Sequence, residues 1–492
     1  MRHVLLTAGL VVCPALAYAQ QRPVPASLSL ADAVAIAREH NPAYRQALNN
    51  AGPAGWAARN AFANVFLPTV TASGSLGYSG PGSQRFLTAN FSQTVATQSS
   101  SYSVALDWEL SGQTLTARPL QRAQEHATDA DIVGAAQALN SAVTQQYLTV
   151  LQAQETAEVA RKQLDRNQQF MALARARYSV GQATLIDVRQ AEVARGQAEV
   201  ALLRARTAVS VEKLRLFEQL GVSAPVQIDS VQLTSTFAVE TPQWKLEDLL
   251  TMAEAQNPSL QALRARERAA AWGVRAATSS YGPTLSLSAA WAGFTQRYKN
   301  IDPILLGQQA QYGTLFADCQ DENQIRTNAG LTARDCSGYV WGASQEQALR
   351  SANSQYPFDF TRQPFQARLT VTLPLWTNLA RPMRVSEARA QHQDLEESVR
   401  ARGLGVQTEV SQAYLTLQTA FTAIAIQDTN RTAAREQLQL ATERYRVGSG
   451  TFFELLDAQV ASLRAELDYV TAVYDYHKAL AVLEAAVGRP LR

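Results

Sequence analysis

Residues 444–460 read RYRVGSGTFFELLDAQV and interrupt a long stretch of helix-forming sequence. Residues 177–193 read RYSVGQATLIDVRQAEV and keep the Arg-Tyr pair, the Val-Gly pair, an acidic residue and Ala-x-Val at the same spacing. Glycine is the residue that most readily takes the left-handed conformation just after a helix ends. Gly181 and Gly448 are therefore predicted to reverse the chain between two long helices. The chain is organised around this pair of helical hairpins.

The two turns belong to a duplication that covers most of the chain. A short amphipathic helix ends at Asn41-Pro42 and another at Asn257-Pro258, because the residue before proline is disfavoured in the α region. Apolar and small polar residues then alternate, which predicts two half-buried strands in each half. The predicted repeats are 20–242 and 243–492. Repeat 1 has strands at about 69–79 and 100–110, a hairpin at about 113–220 and a connector at 221–242; repeat 2 has strands at about 284–294 and 365–375 and a hairpin at about 377–487.

Length, charge and hydropathy exclude some classes of protein. The chain has 492 residues, enough for more than one ordinary domain, and its formal net charge of +2 gives no overall field that points to nucleic acid. Hydrophobic residues make up 46% of the chain, yet no run of about 18 apolar residues occurs in the mature sequence. This pattern excludes a helical membrane protein. Strands of about ten residues suit a tilted membrane strand.

The N-terminus has the pattern of a signal peptide, residues 1–19. Arg2 and His3 precede an apolar segment, and Ala17-Tyr18-Ala19 is a small-x-small site, which predicts export and cleavage after Ala19. Cys13 lacks the small upstream residues of a lipoprotein signal, so the chain is not expected to be lipidated.

Cys319 and Cys336 are the cysteines of the mature chain, and both lie in a long loop at about 295–363 between two predicted strands. In an oxidising compartment they are predicted to form a disulfide that closes a loop of about 16 residues, worth roughly 3 kcal/mol. The alternative is a metal site, but no further His or Cys lies at ligand spacing.

Four strands are too few to close a membrane barrel. An open sheet edge in lipid leaves backbone groups unpaired at several kcal/mol each, and about eight strands are needed even for an interior filled by side chains. A closed ring of identical chains removes the edges. The predicted fold class is an α+β membrane protein with two internal structural repeats. Its trimer has a 12-stranded outer-membrane β-barrel, four strands per protomer, continued by a long α-helical coiled-coil barrel.

The duplicated Asn-Pro break, the strand pairs and the two Arg-Tyr-x-Val-Gly turns resemble the TolC-like outer-membrane efflux proteins, or outer membrane factors, over about residues 28–488. The resemblance implies a location in the outer membrane of a Gram-negative bacterium, in contact with its lipid and extending into the periplasm. It implies no enzymatic activity. The implied function is a passive exit duct of a tripartite export system for small molecules such as drugs and toxic compounds.

The same resemblance implies the partners. The homotrimer docks a periplasmic adaptor (a membrane fusion protein), which couples it to an inner-membrane pump of the resistance-nodulation-division or ATP-binding-cassette type. The docking surface implied by the family corresponds to the turns, at Val180, Gly181, Val447 and Gly448. The alternative function is the outer-membrane component of a type I protein secretion system. The chemistry of the hairpin ends and the identity of the adaptor would distinguish it from small-molecule export.

Glu454 and Asp457 are three residues apart at the start of the last helix, so they share a face. Three protomers would surround a narrow entrance with these carboxylates, which attract cations and repel one another. The resemblance matches both positions to the family's acidic periplasmic gate. Thr451-x-x-Glu454 also has the pattern of a capping box, and the two roles are compatible.

Asp187 takes the position in the first copy that Glu454 has in the second. The resemblance implies that this aspartate bonds the tyrosine at the position of Tyr445 in a neighbouring protomer and holds the gate closed. An arginine that belongs to the family's gate is replaced here by Gly450, so that link is missing.

Two further classes of protein are alternatives. A periplasmic adaptor would have one hairpin flanked by lipoyl-like β segments, rather than two hairpins with paired strands. A periplasmic enzyme needs a catalytic cluster, and the sequence has no Ser-His-Asp arrangement with supporting context, no phosphate-binding glycine loop and no zinc motif. His40, His126 and His392 form no pair at metal spacing, so no metal or cofactor is expected.

Overall fold

The computed structural model describes residues 27–86, 89–93 and 95–491. The predicted signal peptide, its cleavage site and Cys13 lie outside the described residues. The chain divides into two compact units, which we call the helical unit and the sheet unit. Among the described residues, the helical unit comprises 27–58, 119–272 and 388–491, and the sheet unit comprises those within 59–118 and 273–387. Each half of the sequence contributes segments to both units.

Helices account for most of the described residues. In chain order they are α1 (Leu30–His40), α2 (Pro42–Asn49), α3 (Ala51–Phe66), α4 (Gly112–Ser179), α5 (Leu185–Leu220), α6 (Leu246–Gln256), α7 (Pro258–Ser279), α8 (Asp302–Asn328), α9 (Ala343–Asn353), α10 (Ala380–Val447) and α11 (Phe452–Val487). In the described part of the chain, no helix combines the length and apolar composition needed to cross a membrane.

The longest strands of the described residues belong to the sheet unit. In chain order the strands are β1 (Ser27–Leu28), β2 (Thr69–Ser79), β3 (Gly82–Phe86), β4 (Ala89–Gln93), β5 (Thr97–Leu110), β6 (Gln232–Leu233), β7 (Thr284–Tyr298), β8 (Thr361–Arg362) and β9 (Gln366–Thr372); the longest are β2, β5 and β7. The last strand ends before Pro374, because proline has no N–H to donate to a sheet.

The segment between the first Asn-Pro break and β2 forms two helices, which are divided at Asn50 between α2 and α3. Pro53 falls in the first turn of α3, where a backbone N–H has no acceptor within the helix, so the proline is tolerated there.

The two asparagines of the Asn-Pro breaks tie the short helices to the ends of the hairpins. Asn41 Oδ1 accepts a hydrogen bond from Tyr44 N at 3.1 Å, and its Nδ2 donates to Gln219 O at 2.8 Å, next to the end of α5. Asn257 caps α7 in the same way and donates to Ala486 O at 2.8 Å, next to the end of α11. These side chains explain why both breaks carry asparagine.

In each half, a tyrosine of the first long helix binds the segment that precedes the first short helix. Tyr147 is fully buried, and its hydroxyl donates to Leu28 O at 2.8 Å, two residues before α1. Tyr414 donates to Trp244 O at 3.3 Å, two residues before α6. The same arrangement therefore recurs in both halves of the helical unit.

The sheet unit contains an antiparallel sheet in the order β2-β5-β7-β9, with β8 also paired to β7. The register aligns apolar residues across strands on one face, in rows such as Val70–Leu106–Ala289–Ala367 and Trp108–Leu287–Leu369. Small polar residues align on the other face, where Ser73 bonds Ser103 at 2.8 Å and Ser75 bonds Ser101 at 2.7 Å. Among the described residues, β2 pairs only with β5 and β9 only with β7.

The long loop between β7 and β9 is ordered by two helices, α8 and α9. Cys319 in α8 and Cys336 form a disulfide within this loop, with 6.0 Å between their Cα atoms. Asn323 also joins the two arms, since its Nδ2 donates to Arg334 O at 2.7 Å.

Candidate functional site

The two predicted turns join α4 to α5 and α10 to α11. Gly181 has a φ of +76° and Gly448 a φ of +84°, in the left-handed region that other residues avoid. The N–H of Gly448 donates to Tyr445 O at 3.2 Å, and that of Ser449 donates to Arg444 O at 3.0 Å. The first turn makes the same pair of bonds, at 3.0 and 2.8 Å. These bonds satisfy carbonyl groups that the end of a helix leaves free.

The ends of the two hairpins pack against each other through a buried apolar cluster, which we call the tip cluster. Its buried members are Ala174, Val188, Ala191, Leu438, Tyr445, Phe452, Leu455 and Ala458. They come from all four long helices, so the two turns of one protomer form a single packed end. Tyr445 is only 3% exposed and meets Phe452 edge-on, with 5.5 Å between the ring centroids.

Arg177 and Arg444 occupy the same position in the two motifs but make different contacts. The guanidinium of Arg177 lies 4.6 Å from the centroid of the Tyr445 ring, donates to Tyr445 O and also donates to Gln182 O at 3.0 Å. Arg444 Nη1 instead lies 3.6 Å from Glu454 Oε2 in an exposed ion pair. The first arginine therefore joins the two hairpins, whereas the second stays within its own turn.

Tyr178 and Tyr445 also occupy one motif position and differ in burial. Tyr178 is 47% exposed, whereas Tyr445 is buried and its hydroxyl has no hydrogen-bond partner among the described residues. Burial raises the pKa of the Tyr445 phenol, the negative charge of Asp187 raises it further, and Arg177 opposes the rise. Asp187 thus lies near Tyr445 within one protomer, but the phenol is left without an acceptor there.

The two returning helices begin with different caps. Asp187 N donates to Thr184 Oγ1 at 3.3 Å, and Thr184 N donates to Asp187 Oδ2 at 2.9 Å, which completes a capping box. In the second hairpin Glu454 N donates to Thr451 Oγ1 at 3.2 Å, but the carboxylate of Glu454 faces Arg444. The predicted capping box at Thr451 is therefore only half formed, because Arg444 attracts the carboxylate.

Gly450 stands where the family resemblance leads us to expect an arginine. A Cβ atom at Gly450 would lie 3.0 Å from Arg444 Cβ and 3.2 Å from Glu454 Oε2. A side chain there would have to displace Arg444. The cation beside Glu454 is thus supplied by Arg444, from the end of the preceding helix.

Glu454 and Asp457 are both exposed. They lie on the side of α11 away from the tip cluster, since Phe452, Leu455 and Ala458 bury the opposite side. Both carboxylates are therefore available to solvent or to a neighbouring molecule.

The turns also expose apolar side chains. Val180 is 67% exposed and Val447 is 72% exposed, beside Gly181 and Gly448. Ile186 and Phe453, one residue into each returning helix, are 68% and 72% exposed. Four such side chains at the end of a packed structure form a small apolar surface of the kind that contacts other proteins.

The comparisons with known proteins bear on this arrangement. Residues 33–222 and 342–489 match the model of a family described as outer membrane efflux protein. The chain belongs to this family. The resemblance to the TolC-like outer-membrane efflux proteins is thereby confirmed.

Individual proteins of known sequence or structure are also similar to this chain. The chain is 25% identical over 343 residues to the outer membrane efflux protein BepC of Brucella suis biovar 1 (strain 1330); the match covers 70% of this chain and 61% of that protein, so it spans about three fifths of the relative's length. The outer-membrane channel OprN has 16% identity and a TM-score of 0.69, with 93% of this chain and 89% of that chain covered. The outer membrane protein VceC of Vibrio cholerae has 17% identity and a TM-score of 0.66, with 94% and 97% covered. The chain has the fold of these channels.

Two arrangements could not be read from the motif alone. The pairing of Arg177 with Tyr445 joins residues that are 268 positions apart, although both belong to the repeated motif. Arg444 and Glu454 are ten positions apart in the sequence. The only sign of their pairing there is that Gly450 replaces the arginine expected from the family.

Proposed function

We propose that the protein is the passive exit duct of a tripartite export system, which carries small molecules across the periplasm and outer membrane. It would act as a homotrimer with a 12-stranded barrel in the membrane and the helical hairpins in the periplasm. Pumping energy would come from an inner-membrane pump through a periplasmic adaptor. Membership of the efflux family and the fold shared with outer-membrane channels support this function.

The sheet is the observation that carries the proposal. It has one apolar face and one face of small polar residues, as a strand layer between lipid and water requires. Its edge strands β2 and β9 each have one partner in the described chain. An unpaired strand edge is costly in lipid, so a neighbouring protomer is the expected partner of each edge.

We assign the gate to the hairpin ends. Glu454 and Asp457 are exposed on one face, where three protomers would present their carboxylates to the entrance. The Tyr445 hydroxyl is buried and has no acceptor among the described residues, so a bond to Asp187 of a neighbouring protomer would require the Tyr445 ring to turn outward. Val180, Gly181, Val447 and Gly448 would form the adaptor-docking surface, since two exposed valines flank the two turns.

Assembly is the first test of this function. We expect outer-membrane fractions to contain a trimer that migrates as such in mild detergent and converts to a monomer on heating. The physical reason is that ring closure pairs both sheet edges, which makes dissociation slow. A monomer found in the soluble periplasmic fraction would contradict the proposal.

Docking is tested by photo-crosslinking from the hairpin ends. The crosslinking residue is best placed at Val180 or Val447, because both are exposed and have ordinary backbone angles, whereas the neighbouring glycines need positive φ. We expect both positions to capture a periplasmic adaptor, identified by mass spectrometry. Capture of an adaptor that belongs to a protein-secretion pump would favour the type I secretion alternative.

Val226 provides the matched control for this experiment. It is a fully exposed valine in the connector between α5 and α6, outside the turns. We expect no adaptor to be captured from Val226. Equal capture from all three positions, or none from the turns while export depends on the protein, would show that the adaptor docks elsewhere.

A further inference from the structure

Glu267, His392 and Glu396 form a cluster that lies outside the hairpin ends. Glu267 belongs to α7, and His392 and Glu396 belong to α10. His392 and Glu396 are four residues apart, which places them on the same helical face. The fold brings the carboxylate of Glu267 to this face from 125 positions away in the chain.

The distances place three possible metal-ligand side chains together. His392 Nε2 lies 2.9 Å from Glu267 Oε1, and His392 Nδ1 lies 3.7 Å from Glu396 Oε1. One ligand atom from each residue lies within 4.8 Å of the other two. Donor atoms around a tetrahedral Zn²⁺ are roughly 3.3 Å apart, given bonds of about 2.0–2.2 Å. The two carboxylates face different ring nitrogens of His392, so the imidazole or the exposed Glu396 side chain must turn for all three residues to bind one ion.

Burial and charge at this cluster are compatible with a bound metal ion. The side chains of His392 and Glu267 are 22% and 27% exposed, whereas that of Glu396 is 55% exposed and is the one free to adjust. A neutral imidazole donates from one ring nitrogen, so it satisfies Glu267 and leaves Glu396 at 3.7 Å, beyond hydrogen-bond distance. Two carboxylates and a neutral imidazole balance the charge of a divalent cation. The partly open side gives an ion a path in and room for water as the fourth ligand.

We propose that Glu267, His392 and Glu396 bind a divalent transition-metal ion, with Zn²⁺ as the best fit to one imidazole nitrogen and two carboxylate oxygens. The ion would join α7 to α10 within the helical unit. This site is separate from the turns and does not depend on the exit-duct function.

Zinc binding to the untagged, detergent-solubilised full-length protein tests this proposal. After chelator treatment, Zn²⁺ is titrated in competition with a chromogenic chelator. We expect one ion per chain, an affinity at least a hundredfold lower in His392→Ala, and one at least tenfold lower in Glu396→Gln. Co²⁺ titration gives a second readout, because the intense visible absorption of a low-coordinate Co²⁺ site should appear in the native protein and disappear in His392→Ala.

Two controls separate the cluster from general surface binding. Glu397→Gln changes the adjacent exposed carboxylate, which pairs with Arg400. His40→Ala removes a histidine that lies 3.9 Å from the carboxylate of Glu39 without a third ligand. Both variants should bind Zn²⁺ as the native protein does. Absence of stoichiometric binding to the native protein, or equal binding by folded His392→Ala, overturns the proposal.

Discussion

Replacing Tyr445 by alanine is expected to lower the local free energy of unfolding of the hairpin ends by about 3–5 kcal/mol, the cost of removing a large buried aromatic ring. The ring packs within the tip cluster, contacts Phe452 and makes a cation–π contact with the guanidinium of Arg177. The variant removes all three contacts at once. Native-state hydrogen exchange of the amides around Gly448 should become at least a hundredfold faster.

Tyr178→Ala is the matched control, because Tyr178 holds the same motif position in the first hairpin but is 47% exposed. Its effect should stay within about 0.5 kcal/mol, as for most surface substitutions. Equal effects of the two variants would mean that Tyr445 does not hold the hairpins together.

A second substitution at the same position separates packing from gating. Tyr445→Phe keeps the ring and removes a buried hydroxyl that has no hydrogen-bond partner in the described part of its protomer. Because burying an unsatisfied hydroxyl costs about 1–3 kcal/mol, the phenylalanine variant should be at least as stable as the native protomer. If the hydroxyl bonds Asp187 of a neighbouring protomer, the same variant should open the channel more often in planar bilayers.

The parts of the fold that depend on local chemistry could be predicted from the sequence. The glycines after α4 and α10 and the Asn-Pro breaks act through their own backbone preferences, and the alternation in β2, β5, β7 and β9 reflects a sheet with two unlike faces. Each of these features can be predicted from neighbouring residues alone, without knowing which distant segments come into contact. The helices α8 and α9 were not predicted, since the polar loop sequence around them has no clear apolar period.

Interactions between distant segments could not be predicted in the same way. Arg177 and Arg444 occupy the same position in the repeated motif, yet one binds the Tyr445 ring and the other pairs with Glu454. Only the packing of one hairpin against the other distinguishes them. His392 likewise has only Glu396 as a possible further ligand within its own segment, and Glu267 reaches it because α7 packs beside α10.

Removing the two exposed carboxylates of the second hairpin is expected to weaken cation block of the channel. In Glu454→Gln with Asp457→Asn, the side chains keep their shape, so the effect comes from charge. A divalent cation roughly 6 Å from a carboxylate gains about 1 kcal/mol from it in a water-like medium, and three protomers would add their contributions. Salt screening reduces the sum. We expect the blocking constant for Mg²⁺ or a polyamine in planar bilayers to rise at least tenfold.

The position of the charge can be tested with a carboxylate elsewhere on the same helix pair. Glu397 is exposed on α10, roughly 75 Å along the helix from Gly448, so Glu397→Gln should leave the block unchanged. Arg444→Ala should strengthen the block, because it removes the cation 3.6 Å from Glu454 and leaves that carboxylate uncompensated. Unchanged block in the double variant would place the constriction away from Glu454 and Asp457. Weaker block in both Arg444→Ala and the double variant would mean that the ion pair matters for the shape of the turn rather than for its charge.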